Sequence, residues 1–213
     1  GEWVSIGFLK VGQLALDIGG SSLLGLQVSG NSGRLKLRGC WEWPLSEGLV
    51  VDGEVVDVDL FARELKAFVG QYGLRGRPTV LAVGNQKVIV RNLDMPEMTE
   101  EELRGAIEFQ AQDYIPIPIE EAVLDFQVVG KSTSADGAPR QEVILVAAQK
   151  TMISMFTTAI RQAGLKVAGV DISSMALVRA LIPQTSFLAD TSEDEVCRAI
   201  ADISSSVSTL VIA

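Results

Sequence analysis

Two similar short segments, one near each end of the chain, carry the residues best suited to chemistry. Each follows a run of alternating apolar residues, and they read Asp17-Ile18-Gly19-Gly20-Ser21-Ser22 and Asp202-Ile203-Ser204-Ser205-Ser206. In such a segment a strand delivers a carboxylate that can hold a hydrated magnesium ion, and the small residues let backbone N–H groups approach phosphate oxygens. Two such turns facing each other would hold the phosphates of a nucleotide from both sides. Each turn taken alone is typical of an ordinary β-hairpin.

The composition excludes several other kinds of site. The chain of 213 residues contains no histidine, which removes Ser-His-Asp triads, histidine general bases and the common zinc motifs. Cys40 and Cys197 have no CxxC spacing, and we expect both to be reduced thiols in the core. The formal charge of −9 argues against nucleic acid or anionic lipid as the main partner. Gly130-Lys131-Ser132 is similar to the end of a P-loop, but Asp125 stands where the motif requires its first glycine.

The first 85 residues predict the strands and the helix that must position the first turn. Alternating apolar residues predict strands at 14–18 and 24–28, one on each side of the turn. After a break at Asp52-Gly53 a helix follows, with Asp59 as its expected N-terminal cap and with Gly73 and Gly76 expected to end it. Residues 79–83 then predict a buried strand. The apolar stripe of the helix consists of Phe61, Leu65, Phe68, Val69 and Tyr72.

Residues 86–170 predict a compact α+β module. The expected order is strand, helix, strand, strand, helix, strand, with the last strand at 167–170. Thr99 and Glu102 have the spacing of a capping box at the start of the first helix. Two prolines then require residues 114–119 to run extended. Four residues of the first helix are expected to face inward: Leu103, Ile107, Ala111 and Tyr114.

Several stretches resemble known protein families. Residues 16–22 are similar to the first phosphate motif of actin-like ATPases. The stretch 106–118, followed by Leu124-Asp125-Phe126-Gln127-Val128, resembles the PilM family of type IV pilus systems, in the inserted subdomain called 1C or SHS2. Val170-Asp171-Ile172 and residues 177–181 resemble the return of that family into its actin-like core. The resemblance covers the chain from about Leu14 to Ala213.

The resemblance implies an α/β fold of the actin-like, ribonuclease-H-like class. Residues 1–85 would form the first part of subdomain 1A, and residues 86–170 the inserted α+β SHS2-type subdomain 1C. Residues 171–213 would return into subdomain 1A. The last apolar run stops at Ala213 without a terminating turn, so we expect a truncated chain that lacks the second actin-like half.

The resemblance also implies a function. Proteins of this family are cytoplasmic scaffolds at the inner face of the inner membrane, where they bind the cytoplasmic N-terminal tail of the membrane protein PilN and contact the pilus motor proteins. They bind ATP and Mg²⁺ between two actin-like halves, and they reach the membrane only indirectly, through PilN. No nucleic acid partner is expected.

The family's sites are carried over by position. Asp17 and Asp202 would hold Mg²⁺ through water, and the PilN peptide would bind near Asn85, Lys87 and Arg91. The residues expected to bind ATP are Asp17, Gly19, Gly20, Ser21, Ser22, Asp202, Ser204 and Ser205. Ser204 replaces the usual glycine of the second motif. For this reason, and because the second half is missing, we expect this chain to bind ATP less tightly than the full-length protein, if at all.

Two other interpretations stay open. An ATP-dependent enzyme on the same fold, an ATPase or a sugar kinase, would need a general base for the attacking water or hydroxyl, and no carboxylate can be assigned that role. We therefore assign no catalytic residue and favour a nucleotide-binding scaffold with at most weak ATPase activity. A scaffold of the FtsA or GspL type is the second alternative, against which the segments at 114–118 and 125–127 argue.

Overall fold

The computed structural model describes residues 12–31, 34–182, 198–203 and 208–212. Its contacts divide these residues into two units, one of residues 86–156 and one of the residues before 86 and after 156. In chain order the first elements are β1 (Leu14–Ile18), β2 (Ser22–Asn31), β3 (Arg34–Pro44), β4 (Val50–Val51), β5 (Glu54–Val55), α1 (Val58–Gln71) and β6 (Pro78–Val83). The remaining elements are β7 (Val88–Pro96), α2 (Glu100–Tyr114), β8 (Ala122–Thr133), β9 (Pro139–Gln149), α3 (Lys150–Gln162), β10 (Lys166–Ile172), α4 (Ser173–Leu181), β11 (Ala199–Ile203) and β12 (Ser208–Ile212).

A mixed five-stranded sheet forms the larger unit, with the strand order β10-β6-β1-β2-β3. The β1–β2 and β2–β3 pairs are antiparallel, whereas β6 and β10 run parallel to β1. Leu14 and Leu16 of β1 are buried, as alternation predicts for a strand with one face in the core. The carboxyl ends of β1, β6 and β10 therefore meet at one edge of the sheet, where open α/β sheets commonly bind ligands.

Helix α1 packs against this sheet through the predicted apolar stripe. Phe61, Leu65, Phe68 and Val69 are all buried. Its cap is Asp57, whose carboxylate accepts a hydrogen bond from the N–H of Leu60 at 2.9 Å. The prediction of Asp59 as the cap is wrong, because the helix begins earlier and places that residue within its first turn.

The end of α1 is a Schellman motif. The N–H of Leu74 bonds to the carbonyl oxygen of Val69, and the N–H of Gly73 bonds to that of Gly70. Gly73 has a φ of 63°, a left-handed conformation that favours glycine. The glycine that sequence reasoning placed at the end of the helix therefore stops it by a defined mechanism.

The smaller unit contains an antiparallel three-stranded sheet of order β7-β9-β8 with α2 against one face. The predicted capping box is present: the Thr99 N–H donates to a Glu102 carboxylate oxygen at 2.8 Å, and the Glu102 N–H donates to the Thr99 hydroxyl at 3.3 Å. From α2, Leu103, Ile107 and Ala111 are buried in the core of this unit. The prediction that Tyr114 faces inward is wrong, because its side chain is 39% exposed at the end of the helix.

Four further predictions are corrected or confirmed by the strands. The strand expected at 167–170 lies in β10 and pairs with β6 in the five-stranded sheet, so it does not join the sheet of the inserted module. Tyr114 is still helical and Ile119 begins a 3-10 turn, so the segment expected to be extended is shorter than 114–119. Gly130, Lys131 and Ser132 lie within β8, which confirms the rejection of a P-loop. Cys40 is an exposed free thiol, not a core thiol, because it points away from α1 on edge strand β3, and Cys197 lies outside the described residues.

Candidate functional site

The first of the two turns joins β1 to β2 at the carboxyl edge of the five-stranded sheet. Asp17 stands near the end of β1 and is exposed as a residue, but surrounding protein atoms partly desolvate its carboxyl group, while its neighbour Leu16 is buried. The turn is closed by a hydrogen bond of 2.9 Å from the Gly19 N–H to the Ser22 carbonyl oxygen. A Cβ atom at Gly19 would lie 3.2 Å from that oxygen, so the glycine keeps the turn tight. Gly20 and Ser21 form its tip, as the sequence predicts.

Strand register places two carboxylates on the same face of the sheet at this edge, one on each side of β6. Asp17 of β1 is paired with Ala82 of β6, and Asp171 of β10 is paired with the same Ala82. The side chains of residues paired in this way point to the same face of the sheet. Asp17 and Asp171 therefore flank Ala82 across three parallel strands. Asp17 was predicted to belong to the site, whereas Asp171 was not.

Asp17 is also electrostatically coupled to Asp202 of the second turn. Burial against surrounding protein atoms raises the pKa of the Asp17 carboxyl, and the nearby Asp202 carboxylate raises it further. A hydrogen bond from the Ile18 N–H acts in the opposite direction and lowers it. The two residues predicted to share a magnesium ion are thus brought together, and a divalent cation between them would relieve their repulsion.

The second turn is described only in part. Strands β11 and β12 form an antiparallel hairpin in which Asp202 pairs with Thr209 and Ile203 with Ser208. Ser204 and Ser205, both predicted to bind ATP, lie outside the described residues. Helix α4 contacts β12 as well as β6 and β10, so it links this hairpin to the parallel strands.

The metal prediction is limited to this pair of carboxylates. Over the described ranges, no three Cys, Asp or Glu side chains are grouped closely enough to hold a metal ion. Magnesium commonly keeps several waters and takes only one or two protein carboxylates beside the phosphates of a substrate. The pair of Asp17 and Asp202 fits a magnesium ion that is held by two carboxylates through water.

Asp171, which sequence reasoning missed, is held by two partners. One of its carboxylate oxygens accepts from the Ile172 N–H at 2.8 Å, and the other accepts from the Arg179 guanidinium of α4. Burial raises the pKa of Asp171, whereas the Arg179 charge and both hydrogen bonds lower it. Its location at the end of an apolar run followed by a helix, with an arginine two turns into that helix, was the available sequence signal.

The loop after β6 approaches the start of α4 closely. A Cβ atom at Gly84 would lie 2.9 Å from both Cβ and Oγ of Ser173, the first residue of α4. Only glycine fits there without a shift of the neighbouring backbone. Gly84 thus allows the helix to begin directly beside the carboxyl ends of the strands.

The residues predicted near a peptide site are engaged within their own units. Asn85 donates from its side-chain amide to the Gly53 carbonyl oxygen at 2.9 Å and so fixes the β4–β5 turn. Arg91 of β7 is exposed, and its guanidinium donates to the Tyr114 carbonyl oxygen at 3.2 Å and to that of Val90 at 3.0 Å. Lys87 lies just before β7 and is half-buried.

A family model described as type IV pilus assembly protein PilM matches residues 15–213 of the chain. The chain belongs to this family. It is also similar to a chain of the solved PilM-PilN type IV pilus biogenesis complex, with 29% sequence identity and a TM-score of 0.77. That match covers 96% of this chain but 58% of the other, so this PilM-family chain spans little more than half the length of its relative.

The predicted fold class is confirmed by these comparisons. The mixed α/β architecture matches PilM, an actin-like protein, over nearly the whole chain. The cytoplasmic domain of EpsL, an inner membrane component of the type II secretion system of Vibrio cholerae, is similar at 12% identity and a TM-score of 0.49, over 93% of this chain and 70% of that one. Across the ranges that the structure describes, no helix is long and apolar enough to cross a membrane.

Proposed function

We propose that this chain is part of a cytoplasmic pilus-assembly scaffold that binds the cytoplasmic tail of a PilN-type membrane protein. The proposal is carried by the structural match to a chain of the PilM-PilN complex, which covers 96% of this chain. The chain would then lie at the inner face of the inner membrane through its partner. Contacts with pilus motor proteins belong to the same proposal and rest on family membership alone.

The proposed peptide site lies near Asn85, Lys87 and Arg91. Arg91 is exposed on β7, and β7 is an edge strand of the three-stranded sheet. An edge strand with exposed side chains can pair with an extended peptide, and its pockets then select side chains. These features support the proposal for Arg91, whereas Lys87 is half-buried before β7 and the Asn85 amide already bonds to the β4–β5 turn.

ATP and Mg²⁺ binding form the second part of the proposal. Asp17 and Asp202 would hold the ion through water, and the tight turn at Gly19 and Gly20 would present backbone N–H groups to phosphate. When bound, the ion would neutralise charge on the phosphate oxygens. The proposal is supported by the Asp202 carboxylate, whose negative charge helps to raise the pKa of Asp17.

Asp171, at the same edge of the sheet, does not support the alternative that the protein is an ATPase or a sugar kinase. Asp171 lies across β6 from Asp17 in register, but its two oxygens accept hydrogen bonds from Ile172 and Arg179. The ion pair with Arg179 accounts for the position of Asp171 without a catalytic role. An ATPase or sugar kinase therefore remains the less favoured function.

Calorimetric titration with the N-terminal cytoplasmic peptide of PilN from the same organism tests the scaffold proposal. We expect saturable binding by this chain, with a weaker affinity for Arg91→Ala. Arg161→Ala, in helix α3, is the matched control and should bind as the unchanged chain does. Heat signals no larger than those of a scrambled peptide, with a chain shown by circular dichroism to be folded, would contradict the proposal for this chain.

A further inference from the structure

A groove of about 580 Å³ lies between the end of strand β3 and helix α1, in the larger unit. The strand side is formed by Glu42, Trp43 and the residues that follow it, and the helix side by Arg63, Glu64 and Tyr72. None of these residues belongs to the two turns or to the peptide region discussed above. The groove is therefore a separate candidate site.

The strand that borders the groove has an open edge. β3 is the last strand of the five-stranded sheet, and within the described residues only β2 pairs with it. Beyond an irregularity at Arg38, residues 39–44 pair regularly with β2, so this half of the strand is suited to accept another strand. Unpaired N–H and C=O groups on such an edge form a template for an extended segment. A groove between an edge strand and a helix lets the side chains of that segment reach pockets.

The aromatic wall of the groove is preformed. The Trp43 ring packs edge-on against Phe68 with centroids 6.4 Å apart, and Tyr72 packs against the same Phe68 at 5.3 Å. Phe68 is fully buried, so it fixes both rings at the surface. Aromatic rings held in this way can stack against a guanidinium group at little entropic cost.

The charges of the groove favour a basic occupant. Glu42 and Glu64 line it together with Arg63, which gives two carboxylates against one guanidinium. Oε1 of Glu64 accepts from the N–H and the hydroxyl of Ser46, whereas Oε2 is buried and has no hydrogen-bond partner. Because Oε2 is buried and Oε1 is already bonded to Ser46, Glu64 attracts a basic group through its negative charge.

From the open edge, the aromatic wall and the carboxylates together, we propose that this groove binds an extended segment of a partner protein. The segment adds to the outer edge of β3 and inserts an arginine side chain between Trp43 and Tyr72, toward Glu64. A guanidinium suits the site because it stacks on aromatic rings and is attracted by the negative charges of Glu42 and Glu64. This docking surface is independent of PilN and of ATP.

A synthetic peptide provides the test. The probe is an acetylated, amidated peptide of about nine residues that alternates threonine and valine with one central arginine, a length that matches one strand. It is titrated into the ¹⁵N-labelled 213-residue chain and followed by amide NMR. We expect saturable shifts at the amides of residues 40–43, 45 and 46, since Pro44 has no amide proton, and at the Trp43 indole N–H. Replacing the central arginine by glutamate, or two valines by proline, should abolish these shifts.

Glu64→Gln and Glu47→Gln form the matched pair of variants. Glutamine at position 64 keeps an oxygen for Ser46 but loses the charge, so the fold is retained and the affinity for the arginine peptide should fall about tenfold. Glu47 is exposed and lies outside the groove, so its change should leave the affinity unaltered. Thermal melts of both variants confirm that they are folded.

Three outcomes would overturn the proposal. The first is the absence of shifts at residues 40–46 at millimolar peptide. The second is equal binding of the arginine and glutamate peptides, or no loss with Glu64→Gln. The third is a concentration-dependent dimer of the free chain with shifts along β3, which would make a second copy the occupant of this edge.

Discussion

Asp17 lies close enough to Asp202 for the second carboxylate to add to the effect of burial and raise the pKa of Asp17 further. The two residues come from opposite ends of the chain, and only the folded larger unit brings them together. Each stands at the end of a strand that leads into a turn of small residues. This coupling is the physical basis on which the proposed magnesium site can be tested without any assay of activity.

Asp202→Asn should lower the pKa of Asp17. Removing the neighbouring negative charge makes the ionised form of Asp17 easier to reach, although burial would still keep its pKa above the ordinary value. Carboxyl ¹³C NMR titration of Asp17 measures the change, and added Mg²⁺ should shift the titration in the same direction. Asp113→Asn, in the other unit, is the control. An Asp17 titration that is identical in the unchanged chain and in Asp202→Asn would mean that the carboxylates are not coupled.

Asp17→Asn should raise the thermal stability of the chain at neutral pH. Because the pKa of Asp17 is raised in the folded state, the folded chain binds this proton more readily than the unfolded chain does. The stability of the unchanged chain therefore falls as pH rises from the ordinary pKa of an aspartate through the raised value. Asparagine removes that loss while its side-chain oxygen can still accept from the Ile18 N–H.

Melting temperatures from pH 3 to 7 test this dependence. The stabilising effect of Asp17→Asn should be largest near pH 7 and should vanish near pH 3, where Asp17 is protonated in both states. Asp59→Asn, at an exposed helix position, is melted over the same pH range for comparison. A destabilised Asp17→Asn at pH 7 would show that the charge of Asp17 is compensated in the folded chain.

Removing one partner of the Asp171–Arg179 ion pair should cost more than removing one partner of an exposed pair, although burial leaves the pKa of Asp171 raised. The Asp171 side chain is 9% exposed and that of Arg179 is 32% exposed, whereas Asp94 in the Arg140 pair is 56% exposed. Asp171→Asn should cost about 1–3 kcal/mol of unfolding free energy, since it leaves Arg179 poorly paired. Asp94→Asn should cost no more than about 1 kcal/mol. Urea unfolding of the two variants compares them, and equal costs would contradict this interpretation of Asp171.

Local features of the fold could be predicted from the sequence because neighbouring residues determine them. The capping box of Thr99 and Glu102, the hairpin of β8 and β9, and the glycine stop after α1 depend on a few adjacent residues. The cap of α1 was predicted wrongly, as Asp59 instead of Asp57. Both residues are near the start of the helix. The first residue of the helix depends on where the β4–β5 hairpin ends.

Long-range features of the site could be predicted only in part. Asp17 was identified because its turn has a recognisable composition. Asp171 was missed because its place across β6 from Asp17 follows from the register of three strands that are far apart in sequence. The β10 strand was grouped with the inserted module for the same reason, since a short apolar run does not indicate which sheet it joins.

Two glycine-to-alanine changes should have opposite effects on stability. At Gly84 an added Cβ would lie 2.9 Å from Ser173, so Gly84→Ala should destabilise the chain by forcing β6 and α4 apart. At Gly105, within α2, nothing lies within 4 Å of the added atom. Gly105→Ala should stabilise the chain by about 0.5–1 kcal/mol, because alanine loses less backbone entropy in a helix. Chemical unfolding of both variants measures the effects, and a stabilising Gly84→Ala would refute the close approach.

ATP and the PilN peptide should influence each other's binding in the full-length protein. If ATP closes the two actin-like halves, it alters the peptide region, and thermodynamic linkage requires the peptide to change ATP affinity by the same factor. Such couplings commonly amount to about 5-fold or more. Calorimetric titrations of peptide with and without Mg-ATP, and of Mg-ATP with and without peptide, measure both factors.

Asp17→Ala should weaken Mg-ATP binding and remove the coupling, while peptide binding in the absence of ATP stays unchanged. Equal peptide affinities with and without saturating Mg-ATP would show that the two sites act independently.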